Sequence, residues 1–181
     1  MDEKTMALFE QLEGKDKAFQ MEAFLQLKEE VDQEVEWAYE MWDKLTDWLT
    51  DKDNHRRSRG AQLLAGLAAH SDPEDRILDD FSTLWQVTKD DKTVTARHSL
   101  QAIWKVALGG NKQRDLVTSH LEDRFKDDEQ MHHTLVRYDI VVGLHQLYME
   151  MDDHEVKDVA LSLIELESDK KYKKKYQSVW R

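Results

Sequence analysis

From Met6 to Trp180 an apolar side chain returns every three or four residues, broken only by short turns rich in Asp, Gly and Asn. That period belongs to one face of an α-helix; a strand would alternate at every second residue. The stretch Thr93 to Leu108, TVTARHSLQAIWKVAL, shows it best, with Ala96, Leu100, Ile103, Trp104, Ala107 and Leu108 on one stripe. Asp91, just before it, can cap the first free N–H groups, and Gly109, Gly110 and Asn111 end it. One proline and six glycines leave little material for long loops or a strand sandwich.

The same spacing places helices from Lys4 to Glu13, Asp16 to Glu30 and Asp32 to Leu49, then one after the Asp51 to Asn54 turn. On the first, Met6, Phe9 and Leu12 form the stripe; on the second it is Ala18, Met21 and Leu25, widened by Phe24 and Leu27. A fifth helix is capped by Asp72 with Pro73 at its first position, where a missing N–H costs nothing, and buries Ile77, Phe81, Leu84, Trp85 and Thr88. The Thr93 stretch is the sixth, followed by Lys112 to Lys126, Asp128 to Met149, one after Asp152 and Asp153, and Asp169 to Trp180. Ten helices with short turns make about five antiparallel pairs, and one pair cannot bury both sides of its stripe, so pairs must stack. The expectation is an all-α chain of one domain, 1–181, with residues 1–30 as an N-terminal helix pair and residues 152–181 as a C-terminal capping pair.

Asp53 and Arg59 stand six residues apart, as do Asp91 and Arg97, with 38 residues from one pair to the next. A Val136-Arg137 step follows 40 residues after Arg97. At these positions, best from Glu36 to Met151, the chain resembles HEAT repeats. In that family an Asp at the turn within the helix pair and an Arg early in the second helix form a ladder between neighbouring repeats. The resemblance implies a short right-handed α-α superhelix with second helices on the concave side, and gives Asp53, Arg59, Asp91, Arg97 and Arg137 ladder roles. Position 131 is Met where the pattern has Asp, which makes Asp128 the nearest substitute, and Val156-Lys157 repeats the Val-Arg step out of phase.

The net charge is −12, and it is uneven: residues 1–53 hold 16 Asp and Glu against 6 Lys, whereas the remainder is nearly balanced. An acidic chain is poorly matched to nonspecific nucleic-acid binding, which is driven by phosphate neutralisation. Without cysteine there is no disulfide, no thiolate nucleophile and no sulfur-based zinc site. The opening MDEKTMALFE lacks the basic and apolar regions of a secretory signal, and the longest uncharged run, Gly60 to Ser71, is too short to span a bilayer. The expected location is cytoplasmic, with no membrane span.

No nucleophile elbow, phosphate loop or His-Glu-x-x-His motif occurs, and Glu129 with His132 has no second Glu-x-x-His to complete a di-iron set. No cofactor or metal is expected. Among the cations outside the ladder, Arg56, Arg57 and Lys105 stand out, with the run Lys173, Lys174 and Lys175 on the terminal helix, where Tyr172, Tyr176, Val179 and Trp180 form a docking stripe. These cations make the candidate binding surface. The expected role is a noncatalytic scaffold for a protein or peptide; the alternative is a HEAT-like DNA-binding or alkylpurine DNA glycosylase-type repair protein, which would need a basic concave groove with Trp, Asp and Arg.

Overall fold

The computed structural model describes residues 1–181. It is helical throughout, with no strand: α1 Glu3–Glu13, α2 Lys17–Glu30, α3 Ala38–Trp48, α4 Asn54–His70, α5 Ile77–Val87, α6 Thr93–Ala102, α7 Asn111–Lys126, α8 His133–Met151, α9 His154–Leu166 and α10 Lys170–Gln177. A 3₁₀ segment, Ile103–Gly109, follows α6, and a short one, Ser178–Trp180, follows α10. Asp2, Asp16, Asp53, Asp153 and Asp169 each cap a helix, their carboxylates accepting from first-turn N–H groups. No helix is long and apolar enough to cross a membrane.

The boundaries depart from the sequence expectation where a turn intrudes. Helix α3 starts at Ala38 rather than Asp32 because residues 31–37 form turns, in which Val35 N–H donates to Ser71 Oγ at 2.9 Å. Pro73 is not the first helical residue of α5. It lies in a turn before Ile77 in which Asp75 adopts φ 56°, while the Asp72 carboxylate accepts from the N–H groups of Arg76 and Ile77 at 2.9 Å each. Asp91 does not cap α6: the Lys92 N–H donates instead to Asp90 Oδ1 at 2.9 Å. The long sixth helix narrows to 3₁₀ geometry at Ile103, and α8 begins at His133, after His132 in a left-handed conformation.

Most successive helices pack as neighbours, α7 packing on the 3₁₀ segment after α6, and contacts also skip along the chain. Among the even-numbered helices α2 touches α4, α4 touches α6, α6 touches α8 and α8 touches α10; α3 touches α5 and α7 touches α9. Aromatic side chains extend the odd-numbered layer, with Phe9 edge-on to Trp37 at 5.4 Å and His120 of α7 between Phe81 and Trp85 of α5 at 5.0 and 5.1 Å. The most buried helix is α4, which touches α2, α3, α5, α6 and the 3₁₀ segment. Close approach needs glycine there: a Cβ on Gly66 would stand 2.5 Å from Val31 Cγ2, at the end of α2. The buried apolar residues form one cluster running from Leu8 to Tyr176.

Two stripes differ from expectation. On α1 the buried residues are Leu8, Phe9 and Leu12, and Met6 is exposed. On α2 they are Ala23, Phe24 and Leu27, while Met21 and Leu25 are 51% and 52% exposed. This helix carries two apolar faces, and packing against α1 and α4 takes the Phe24 face. The other face is left open.

Candidate functional site

That open face of α2 forms one wall of a groove of about 1410 Å³, whose other walls are α4, α6, the 3₁₀ segment and the end of α8. Apolar side chains on it, Met21, Leu25 and Val94, are at least half exposed. Polar side chains, among them Asn54, Ser58, Gln62 and Gln101, also line it. Four cations, Lys28, Arg59, Lys92 and Lys105, face three carboxylates, Asp32, Asp91 and Glu150, a slight positive excess in a chain of net charge −12.

The cations differ in freedom. Lys105 is ion-paired with Asp32, joining the 3₁₀ segment to the turn after α2. Lys92 is 3.6 Å from Asp91 at an exposed position. Arg59 has no carboxylate partner: it donates from Nη1 to Gln20 Oε1 at 3.1 Å, and its guanidinium lies 5.9 Å from the Phe24 ring. Burial lowers the Arg59 pKa, opposed by Asp53. Lys28 makes no ion pair, and its charge, after burial and together with Arg97, lowers the pKa of His98 on the facing wall, with Asp139 opposing.

Arg97 and Arg137, assigned to a ladder, are held by other acids than the six-residue spacing suggests. Neither Asp53 with Arg59 nor Asp91 with Arg97 is paired, because six residues separate the two groups by more than a helical turn and the arginine turns toward another helix. Arg97 holds Asp139 of α8 with Nε and Nη2, at 2.8 and 2.9 Å. Asp53 is occupied as the cap of α4. Arg137 pairs with Glu167 at 3.0 Å and with Asp128, the substitute acid. Another arginine, Arg57, grips both oxygens of Asp90 at 2.6 and 3.0 Å and donates to the Asp51 carbonyl at 2.7 Å. Arg57 is therefore not a free binding cation.

Because Asp139 is buried, removing Arg97 leaves it only the Gln101 amide at 3.1 Å. Arg97→Ala is expected to cost about 1–3 kcal/mol in urea unfolding and to couple to Asp139→Ala. Asp91→Ala, at a side chain 74% exposed, should stay within about 0.5 kcal/mol. The reverse ranking would restore the Asp91–Arg97 pair.

The remaining expected binding residues are scattered. Arg56 pairs with Asp51 at 3.1 Å and lies against Trp48, away from the groove. On α10, Lys173 pairs with Glu165 at 2.8 Å, Lys175 sits 4.3 Å from the Tyr138 ring, and only Lys174 of the three is exposed without either contact. Tyr176 is fully buried, its hydroxyl donating to the Thr134 carbonyl at 2.9 Å. Only Lys105 of the expected binding set reaches the groove; Lys28 and Val94 are groove residues with no earlier signal, and Met21 and Leu25, expected on the packing stripe of the second helix, line the groove instead. Trp104, 9% exposed, is the sole tryptophan on its walls. No cluster of three or more His, Asp or Glu side chains is placed to hold a metal. Comparison with protein-family models, curated proteins and solved structures yields no match.

Proposed function

We propose that the chain is a noncatalytic binding module of HEAT-repeat type, a short right-handed solenoid of about five helix pairs whose groove takes a protein segment carrying acidic residues beside apolar ones. Support for the repeat comes from polar contacts between positions one repeat apart. Trp42 with Asp80 and Gln113 with Asp75 are both 38 residues apart, and Arg59 with Gln20 and Arg114 with Asp153 both 39. The alternation of even-numbered with even-numbered contacts fits stacked pairs.

One observation carries the ligand class: Arg59 stands in the groove without a carboxylate, next to exposed Met21 and Leu25. An acidic side chain on a partner would complete that half of an ion pair, and an apolar neighbour would cover the two side chains. A DNA-binding or repair role has less support. Only Lys28 and Arg59 of the groove cations are free of carboxylates, which gives a small phosphate-neutralising term, and the one tryptophan on the walls is buried.

Selection of a displayed peptide library on the intact protein should enrich sequences with Asp or Glu beside Leu, Met or aromatic residues. Arg59→Gln should weaken the selected peptides at least tenfold, about 1.4 kcal/mol, with little change in melting temperature. Retention on heparin and duplex DNA with the same dependence on Arg59, and no peptide enrichment, would move the groove to nucleic acid.

A further inference from the structure

A second, smaller cavity of about 330 Å³ lies on the other side of α6, between the α5–α6 turn, the end of α7 and the turn into α8. Its lining cations are Lys89, Arg97 and Arg124. Arg57, Arg76, Arg97, Arg114 and Arg137 each hold a carboxylate, but Arg124 holds none. It donates from Nη1 to Thr88 Oγ1 at 2.6 Å and from Nε to Gln130 Oε1 at 3.2 Å, and lies 5.7 Å from the Trp85 ring. A guanidinium has five N–H donors, so Nη2 is left with no protein acceptor. Burial also lowers the Arg124 pKa to about 10, partly offset by Asp127. The guanidinium is half-buried and has no ion-pair partner, so an anion entering the cavity can take a charge-assisted hydrogen bond from it.

The rest of the lining sets the kind of anion. Ala96, Leu100, Leu135 and Val136 give the cavity apolar walls, with exposed Met131 at its rim. Of the other charged groups lining it, Asp90 is bound to Arg57, Arg97 to Asp139, and exposed Asp91 lies 3.6 Å from both Arg57 and Lys92, which leaves Lys89 and His132 opposite Asp127. With Asp91 and Asp127 both beside the site, a phosphate dianion or a polyanion meets repulsion that a single charge largely avoids. The volume is at the low end of small-molecule sites, about 300 Å³ and upward. The geometry points to a binding site for a small monocarboxylic acid with an apolar body, its carboxylate on Arg124 Nη2 and its hydrocarbon against Leu100, Leu135 and Val136. The site is separate from the groove and stands whether or not the groove binds a peptide.

Titration of the ¹⁵N-labelled protein with hexanoate tests this directly. Saturable shifts are expected at the Arg124 Nε–H and at the amides of Thr88, Leu135 and Val136, and not at Met21 or Leu25 in the groove. Hexan-1-ol and inorganic phosphate should each bind at least tenfold more weakly, and Arg124→Gln should lose hexanoate by a similar factor. Leu135→Glu, at the cavity rim, leaves Arg124 in place and should block hexanoate by supplying a competing carboxylate; it serves if the Arg124 variant fails to fold. Equal response to hexanol or to phosphate, shifts centred on the groove, or unchanged binding in both variants would overturn the assignment.

Discussion

Glu167→Ala is expected to lower the unfolding free energy by about 3–5 kcal/mol, the loss associated with removing one member of a buried ion pair and leaving the other charged. Glu167 is 5% exposed at the end of α9 and Arg137 is 8% exposed on α8. One carboxylate oxygen accepts from Arg137 Nη1 at 3.0 Å and the other from the Asp169 N–H at 3.0 Å, so the same group orients the start of α10. Arg137 also donates from Nε to the Phe125 carbonyl at 2.9 Å, across the end of α7. Four helices therefore meet at one charge pair. Asp128, the other acid on Arg137, is 82% exposed and screened by water, so Asp128→Ala should cost less than about 1 kcal/mol. The double change Arg137→Met with Glu167→Leu should recover much of the loss, because no lone charge remains inside. Urea unfolding of the set measures it, and strictly additive costs would reject the coupling.

That pair also shows what was legible in the chain and what was not. The helical period located ten helices, and aspartates at Asp16, Asp53, Asp153 and Asp169 marked starts, because capping is a contact within three residues. The partners of the ladder arginines were not legible. Spacing says which residues are alike, but an arginine side chain reaches another helix, and Asp139 lies 42 residues from Arg97. Asp91, six residues away, was nearer in sequence and wrong in space. On α2 the choice between the Phe24 face and the Met21 face depended on what α4 would cover, and no count of apolar positions contains that.

The site was hidden for a related reason. Cation runs such as His55-Arg56-Arg57 and Lys173-Lys174-Lys175 are visible in sequence, yet Arg56, Arg57 and Lys173 are held by Asp51, Asp90 and Glu165. Of the groove cations, Lys28 and Lys105 are isolated along the chain and Arg59 stands just past the His55-Arg56-Arg57 run; the three come together only when α2, α4 and the 3₁₀ segment pack. In a chain with 38 acids, a cation's availability depends on which acid the fold brings to it. Arg59 and Arg124 gain no carboxylate, and both face cavities.

Trp42→Ala should cost about 3–5 kcal/mol, the usual range for truncating a fully buried tryptophan. The ring is fully buried on α3, edge-on to Tyr39 at 5.7 Å, with the Arg76 guanidinium 5.5 Å from it. Its Nε1–H donates to Asp80 Oδ2 at 2.8 Å, a contact from one helix pair to the next. Packing and hydrogen bonding can be separated there. Trp42→Phe keeps an aromatic ring and removes the donor, so its cost should fall to about 1–3 kcal/mol, the penalty for leaving the partly buried carboxylate without that bond. Asp80→Asn retains an acceptor for the indole and should cost less than about 1 kcal/mol. If Trp42→Phe proves as damaging as Trp42→Ala, the Asp80 bond rather than ring volume secures α3 to α5; if both are silent, the ring is not in the core, and the contact between the first two large helix pairs must be sought elsewhere.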